Sequence, residues 1–119
     1  MSRGHGCKAV FSHQKDGFLY YRYGVVNQNF PNCVKRGIVC DGMIAIDKAF
    51  LMYTTMPLPD GLRLGRIRMV KLCSDSVYFK LYPSEMGDSF EGVTLTMLNR
   101  LLNSSRSSGE AAAESEVLQ

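Results

Sequence analysis

The run Phe18-Leu19-Tyr20-Tyr21-Arg22-Tyr23-Gly24-Val25-Val26 limits what this chain can fold into more than any other segment. Aromatic and β-branched side chains fit a pleated surface and lose rotamer freedom in a helix, so the run predicts a strand. Directly before it stand Gln14-Lys15-Asp16-Gly17 and, earlier, Cys7-Lys8-Ala9-Val10-Phe11-Ser12-His13, which partly alternates apolar with polar residues. An Asp-Gly pair between two such runs suits a two-residue hairpin turn, whose central residues both need positive φ. The first quarter of the chain therefore predicts a β-hairpin.

Further along, Asn27-Gln28-Asn29-Phe30-Pro31-Asn32 is a polar connector whose proline would interrupt a ladder. Gly37 to Ile46 predicts two short strands around an Asp41-Gly42 turn. Ala49 to Met56 is apolar, of a length that leaves strand and short helix both open, and Pro57-Leu58-Pro59-Asp60-Gly61 marks its end. Leu62 to Leu72 alternates apolar with basic residues, with a phase slip near Gly65 of the kind a bulge produces. Val77 to Tyr82 predicts another strand, joined through Ser74-Asp75-Ser76. Beyond a loop from Pro83 to Ser89, Val93, Met97, Leu98, Leu101 and Leu102 recur at helical spacing. That helix is expected to be capped by Asp88 or Ser89, with Glu91 near its positive end. From Asn103 the chain turns to Ser, Gly, Ala and Glu, which cannot offset the entropy of ordering.

The expected architecture is α+β and mostly β. Residues 1–102 form one compact domain, a small antiparallel sheet or partly open barrel with one C-terminal helix, and residues 103–119 form a flexible, disordered tail. With 119 residues, 45% of them apolar, there is material for a single core and no second domain. No apolar window of about eighteen residues is present, so no membrane-spanning helix is expected. The opening Met1-Ser2-Arg3-Gly4-His5-Gly6-Cys7 lacks the apolar stretch of a secretory signal. The cysteines Cys7, Cys33, Cys40 and Cys73 accordingly read as reduced thiols, with Cys33 and Cys40 able to pair under oxidising conditions.

The net charge of +3 hides an asymmetry, because the tail sets Glu110, Glu114 and Glu116 against Arg106 alone. The rest of the chain is more basic, though less so than a dedicated nucleic-acid-binding protein. Arg63, Arg66, Arg68, Lys71 and Lys80, near Tyr78 and Tyr82, could form a basic, aromatic face for single-stranded RNA or another partner. A solvated outer sheet face gives the same alternation and is the commoner source of it. His5, Cys7, Cys33 and Cys40, with His13 nearby, are zinc-type ligands without a Cys-x-x-Cys pair. Small core cysteines and surface histidines are the simpler reading, and no cofactor is expected.

Val117-Leu118-Gln119, in an expected accessible tail, resembles the sites cut by chymotrypsin-like cysteine proteases of picornaviruses and related positive-strand RNA viruses. The resemblance implies a product released from a polyprotein by cleavage after Gln119, with that protease as a partner at the tail. With Met1 as initiator, the product resembles a leader protein. Such a protein would be non-structural and non-enzymatic, would act in the host cytoplasm by binding an unidentified host protein, and would antagonise innate immunity. Some cardiovirus leader proteins are similar in carrying an N-terminal zinc motif. A second resemblance, to H-box/NC proteins, rests on His13 preceding Asn32-Cys33. That family has a histidine on an early strand of the form aromatic-x-His-aromatic-Gly, where Tyr21-Arg22-Tyr23-Gly24-Val25 carries Arg22. Its late helix opens with Asn-Cys, where this chain has Gly87-Asp88-Ser89-Phe90. This second resemblance implies a cysteine-dependent enzyme or an inactive relative, and carries over no catalytic residue.

Overall fold

The computed structural model of the protein describes residues 5–27, 38–71, 73 and 92–118. The aromatic run folds as expected. Strand β1 (His5–Lys15) and strand β2 (Phe18–Asn27) pair antiparallel, from Lys15 opposite Phe18 to His5 opposite Asn27. Asp16 and Gly17 close the hairpin with φ of 52° and 81°, the left-handed geometry that the right-handed twist of the flanking strands demands. The register shifts between Phe11 and His13, so Ser12 is an inserted bulge residue.

Three further strands complete an open antiparallel sheet. Strand β3 (Gly42–Asp47) pairs with β2, β4 (Ile67–Lys71) pairs with β3, and β5 (Glu114–Leu118) pairs with β1, giving the order β4-β3-β2-β1-β5. Helices α1 (Lys48–Tyr53), α2 (Leu58–Arg63) and α3 (Gly92–Ser108) lie on one face. Met97, Leu98, Leu101 and Leu102 of α3, Phe50 and Leu51 of α1, and Leu58 and Leu62 of α2 pack against the inward side chains of the sheet. Those inward residues alternate along each strand: Cys7 and Ala9, then Leu19, Tyr21, Tyr23 and Val25, then Ile44 and Ile46.

Three stretches depart from the sequence-based expectation, and a fourth, left open between strand and helix, is resolved. Asp41-Gly42 is not a hairpin turn, because Gly42 begins β3 and residues 38–41 are not a strand. They cross the sheet instead. A Cβ on Gly24 would lie 2.0 Å from the Val39 carbonyl oxygen, and the Cys40 thiol donates to the Lys8 carbonyl at 3.7 Å. Only glycine at position 24 lets the crossing pass so close. The ambiguous apolar stretch after β3 becomes α1, started by Asp47, whose Oδ1 accepts from the N–H groups of Ala49 (2.8 Å) and Phe50 (3.3 Å).

The expected boundary at residues 57–61 is itself a helix. Pro59 sits in its first turn, where a missing N–H costs nothing, and residues 62–63 close it before β4 begins at Ile67. The expected flexible tail is instead ordered structure through residue 118. Helix α3 continues to Ser108, and β5 adds a strand against β1. Averaged composition missed this because few residues carry it. Ser105, fully buried, donates to the Leu101 carbonyl at 2.8 Å and accepts from Ala112 N–H at 2.9 Å. Val117 is only 1% exposed, and the Ser115 hydroxyl donates to the Met97 carbonyl at 3.0 Å. The strand expected over residues 77–82, the loop over 83–89 and the caps at Asp88, Ser89 and Glu91 lie outside the described residues.

Candidate functional site

With the three described helices on the inner face, the register decides what the outer face presents. On β2, Phe18, Tyr20 and Arg22 alternate outward between the buried Leu19, Tyr21 and Tyr23. Across the sheet from Tyr20 stand His13 on one side and Ala45 then Arg68 on the other. Across from Arg22 stand Val10, and then Met43 and Lys71. Lys15 neighbours Phe18 at the hairpin end. Arg68 and Lys71 reach the same face despite their odd spacing because the β3–β4 register shifts between Met43 and Ile44.

Two flat contacts organise this surface. The rings of His13 and Tyr20 stack with centroids 4.5 Å apart and planes within 4°. Ser12 Oγ, 3.0 Å from His13 Nδ1, holds the exposed imidazole in place. The Arg68 guanidinium lies 4.6 Å above the Phe18 ring centroid and is fixed by its Nε donating to the Gly65 carbonyl at 3.1 Å. No ion pair among the described residues engages Lys15, Arg22 or Lys71, and all three are exposed.

The basic strip expected from sequence is thus divided. Arg68 and Lys71 belong to the outer face. Arg63 is paired with Asp60 at 2.7 Å within α2, and Arg66 with Asp47 at 3.2 Å. Lys80 and Tyr78 lie outside the described residues. The sequence reading missed His13, Lys15, Phe18, Tyr20 and Arg22 as members of the same surface. The signal was there in part, since anchoring the hairpin at Asp16-Gly17 fixes which residues of β1 and β2 share a side.

The thiols sit elsewhere. Cys7 is fully buried against α3, and burial pushes its thiol up to about 12, while a weaker interaction with the Thr94 hydroxyl acts in the opposite direction. Thr94 Oγ1, also buried, makes no hydrogen bond of ordinary geometry. Cys40, half-buried in the crossing over Gly24, is likewise raised by burial, with Lys8 and Arg22 acting against it. Activated nucleophiles and metal-ligating thiols are favoured by the reverse shift. Cys33 and the side chain of His5 lie outside the described residues, among which no group of three or more His, Cys, Asp or Glu residues converges on a metal-sized site. His13 bonds Ser12 rather than a thiol, and Arg22 points outward on the sheet.

Of the terminal tripeptide, Val117 is buried opposite Cys7, Leu118 ends β5, and Gln119 lies outside the described residues. A protease that reads an extended segment must therefore first lift β5 away from β1. A hollow of about 150 Å³ where the end of β3 meets α1 and the residue before β4 is lined by Asp47, Ala49, Phe50, Thr54, Met56 and Arg66. Ligand pockets usually run to several hundred Å³, so this one is too small for an organic cofactor. No helix of the described residues is long and apolar enough to cross a membrane.

Fold and surface together define a small α+β protein whose described residues set one helical layer on a five-stranded antiparallel sheet with a cationic, aromatic outer face. No known protein family, curated protein or solved structure matches the chain.

Proposed function

We propose that this protein is a non-enzymatic binding module that docks an acidic partner on the outer face of its sheet. One observation carries the reading: three strands bring Lys15, Arg22, Arg68 and Lys71 to one surface, beside Phe18 and Tyr20. Of the acidic groups nearby, Asp41 stands beside Cys40 in the crossing, where Arg22 also acts, and offsets charge only at that end of the face. Asp47 is engaged by Arg66, and Glu114 and Glu116 lie on the far edge strand, opposite Val10 and Lys8. Unpaired cations on a half-apolar surface attract an acidic partner and orient it.

The test is retention on a heparin column under a salt gradient. The double variant Arg22→Glu/Arg68→Glu should elute at clearly lower salt with an unchanged melting temperature, while Arg63→Glu, whose parent is already paired on α2, should shift much less. Equal elution of the wild type and the double variant rejects the face.

Such a module would also serve as an accessory protein of a picornavirus-like polyprotein that binds host factors. That reading is supported by the resemblance of Val117-Leu118-Gln119 alone, which is why the docking face is placed first.

A further inference from the structure

We propose that the acidic partner is single-stranded nucleic acid, with bases stacking on the His13–Tyr20 pair and on the Arg68 guanidinium above Phe18. This rests on the docking reading above and adds a chemical class to it. Charge alone would suit any polyanion; the flat groups are what discriminate. His13 is exposed and already stacked on Tyr20 at 4.5 Å, so a base laid on its free side extends an existing stack. Arg68 is exposed, and its planar guanidinium, held over Phe18 at 4.6 Å, offers a second such surface.

Phe18 and Tyr20 are two residues apart on one strand, so their backbone positions stand about 6.6 Å apart along it. Neighbouring unstacked bases of one strand can span that separation. Lys15, Arg22 and Lys71 surround the two platforms and can each meet a backbone phosphate. A duplex keeps its base faces covered, and a run of acidic residues offers carboxylates but no ring faces for these platforms.

The experiment compares three probes of equal formal charge by fluorescence anisotropy: an eight-nucleotide oligouridylate, an abasic oligomer of the same length, and oligoglutamate. The oligouridylate should bind at least tenfold more tightly than the abasic strand. Its affinity should fall with salt with a log–log slope of about −2, as expected for three phosphate contacts on a single strand. His13→Ala and Arg68→Lys, both at exposed positions, should each lose several-fold in oligouridylate affinity and leave abasic binding unchanged. Arg68→Lys keeps the charge and removes only the plane. Equal binding of the oligouridylate and abasic strands overturns the base-stacking inference and leaves the acidic docking face standing. Preference for oligoglutamate assigns the face to an acidic protein and likewise overturns it. Binding of none of the three overturns the inference and the docking reading together.

Discussion

Arg106 reaches from α3 to the end of α1, where it donates to the Phe50 carbonyl at 2.7 Å while its guanidinium carbon stands 5.0 Å above the ring of the same residue. The other terminal nitrogen donates to the Met56 carbonyl at 2.9 Å, and Thr54 Oγ1 accepts a third bond at 3.2 Å. One side chain thus supplies charged donors to carbonyls at the end of a short helix and in its following loop, where the Phe50 carbonyl also accepts from the Thr54 hydroxyl at 3.3 Å.

Removing that fork should be costly. Arg106→Ala is expected to lower stability by about 2–3 kcal/mol, in line with losing hydrogen bonds from a charged donor to part-buried acceptors. Arg106→Lys should recover only part of this, since an ammonium cannot hold two carbonyls in one plane. Urea denaturation of the three proteins decides it, and a loss under about 0.5 kcal/mol in the alanine variant would show the fork to be dispensable.

Arg106 also shows where sequence reading reached its limit. The hairpin was legible because Asp16-Gly17 is a local signal with a single geometric meaning. The first half of α3 was legible because Val93, Met97 and Leu101 are spaced as a helix requires. The segment after Asn103 carries no such pattern. Its order comes from isolated long-range contacts, Arg106 to α1, Ser105 to Ala112 and Ser115 to Met97, which a window average of Ser, Ala and Glu cannot register. The prolines at 57 and 59 misled in the opposite way, by reading as a break where they begin a helix. The outer face was half legible: Arg68 and Lys71 stood out, but joining them to Arg22 and His13 needs the strand order.

Strand β5 gives a direct test of that ordered segment. Val117→Asp places a carboxylate at a position 1% exposed, opposite Cys7 and within the core. It should destabilise by roughly 3 kcal/mol or more, the range for an unpaired buried charge. Glu116→Lys, one residue away and exposed, should stay within about 0.5 kcal/mol of wild type. Two neutral substitutions in a thermal melt would return this stretch to a solvated tail.

Asp47 links fold to surface. Its Oδ1 caps α1 and its Oδ2 holds Arg66 at 3.2 Å, so Asp47→Ala should cost about 1–2 kcal/mol from the lost cap. The same change frees the Arg66 cation beside the outer face. Heparin retention should therefore rise while the melting temperature falls, a pair of opposite changes that loss of structure alone would not produce.

The buried acids set an alkaline limit on stability. Burial raises the Cys7 thiol from 9.0 to about 12 and the Tyr21 phenol from 10.0 to about 12, and raises Cys40 and Tyr23 in the same direction. Each of these groups is neutral in the folded chain and ionises earlier once unfolded, so between the two pKa values the native state binds more protons. Stability is then complete well below pH 9 and declines as pH rises toward 12, by up to about 1.4 kcal/mol per pH unit for the fully buried Cys7 and Tyr21 in their windows and by less for Cys40, which solvent screens. Cys7, fully buried, should contribute the earliest part of that decline. Urea midpoints at pH 8, 9.5 and 10.5 should fall steadily in the wild type, and Cys7→Ala, though less stable at pH 8, should lose less between pH 8 and 9.5. Parallel pH profiles for the two proteins would mean that Cys7 ionises as readily folded as unfolded, and rapid alkylation of its thiol at pH 8 would say the same.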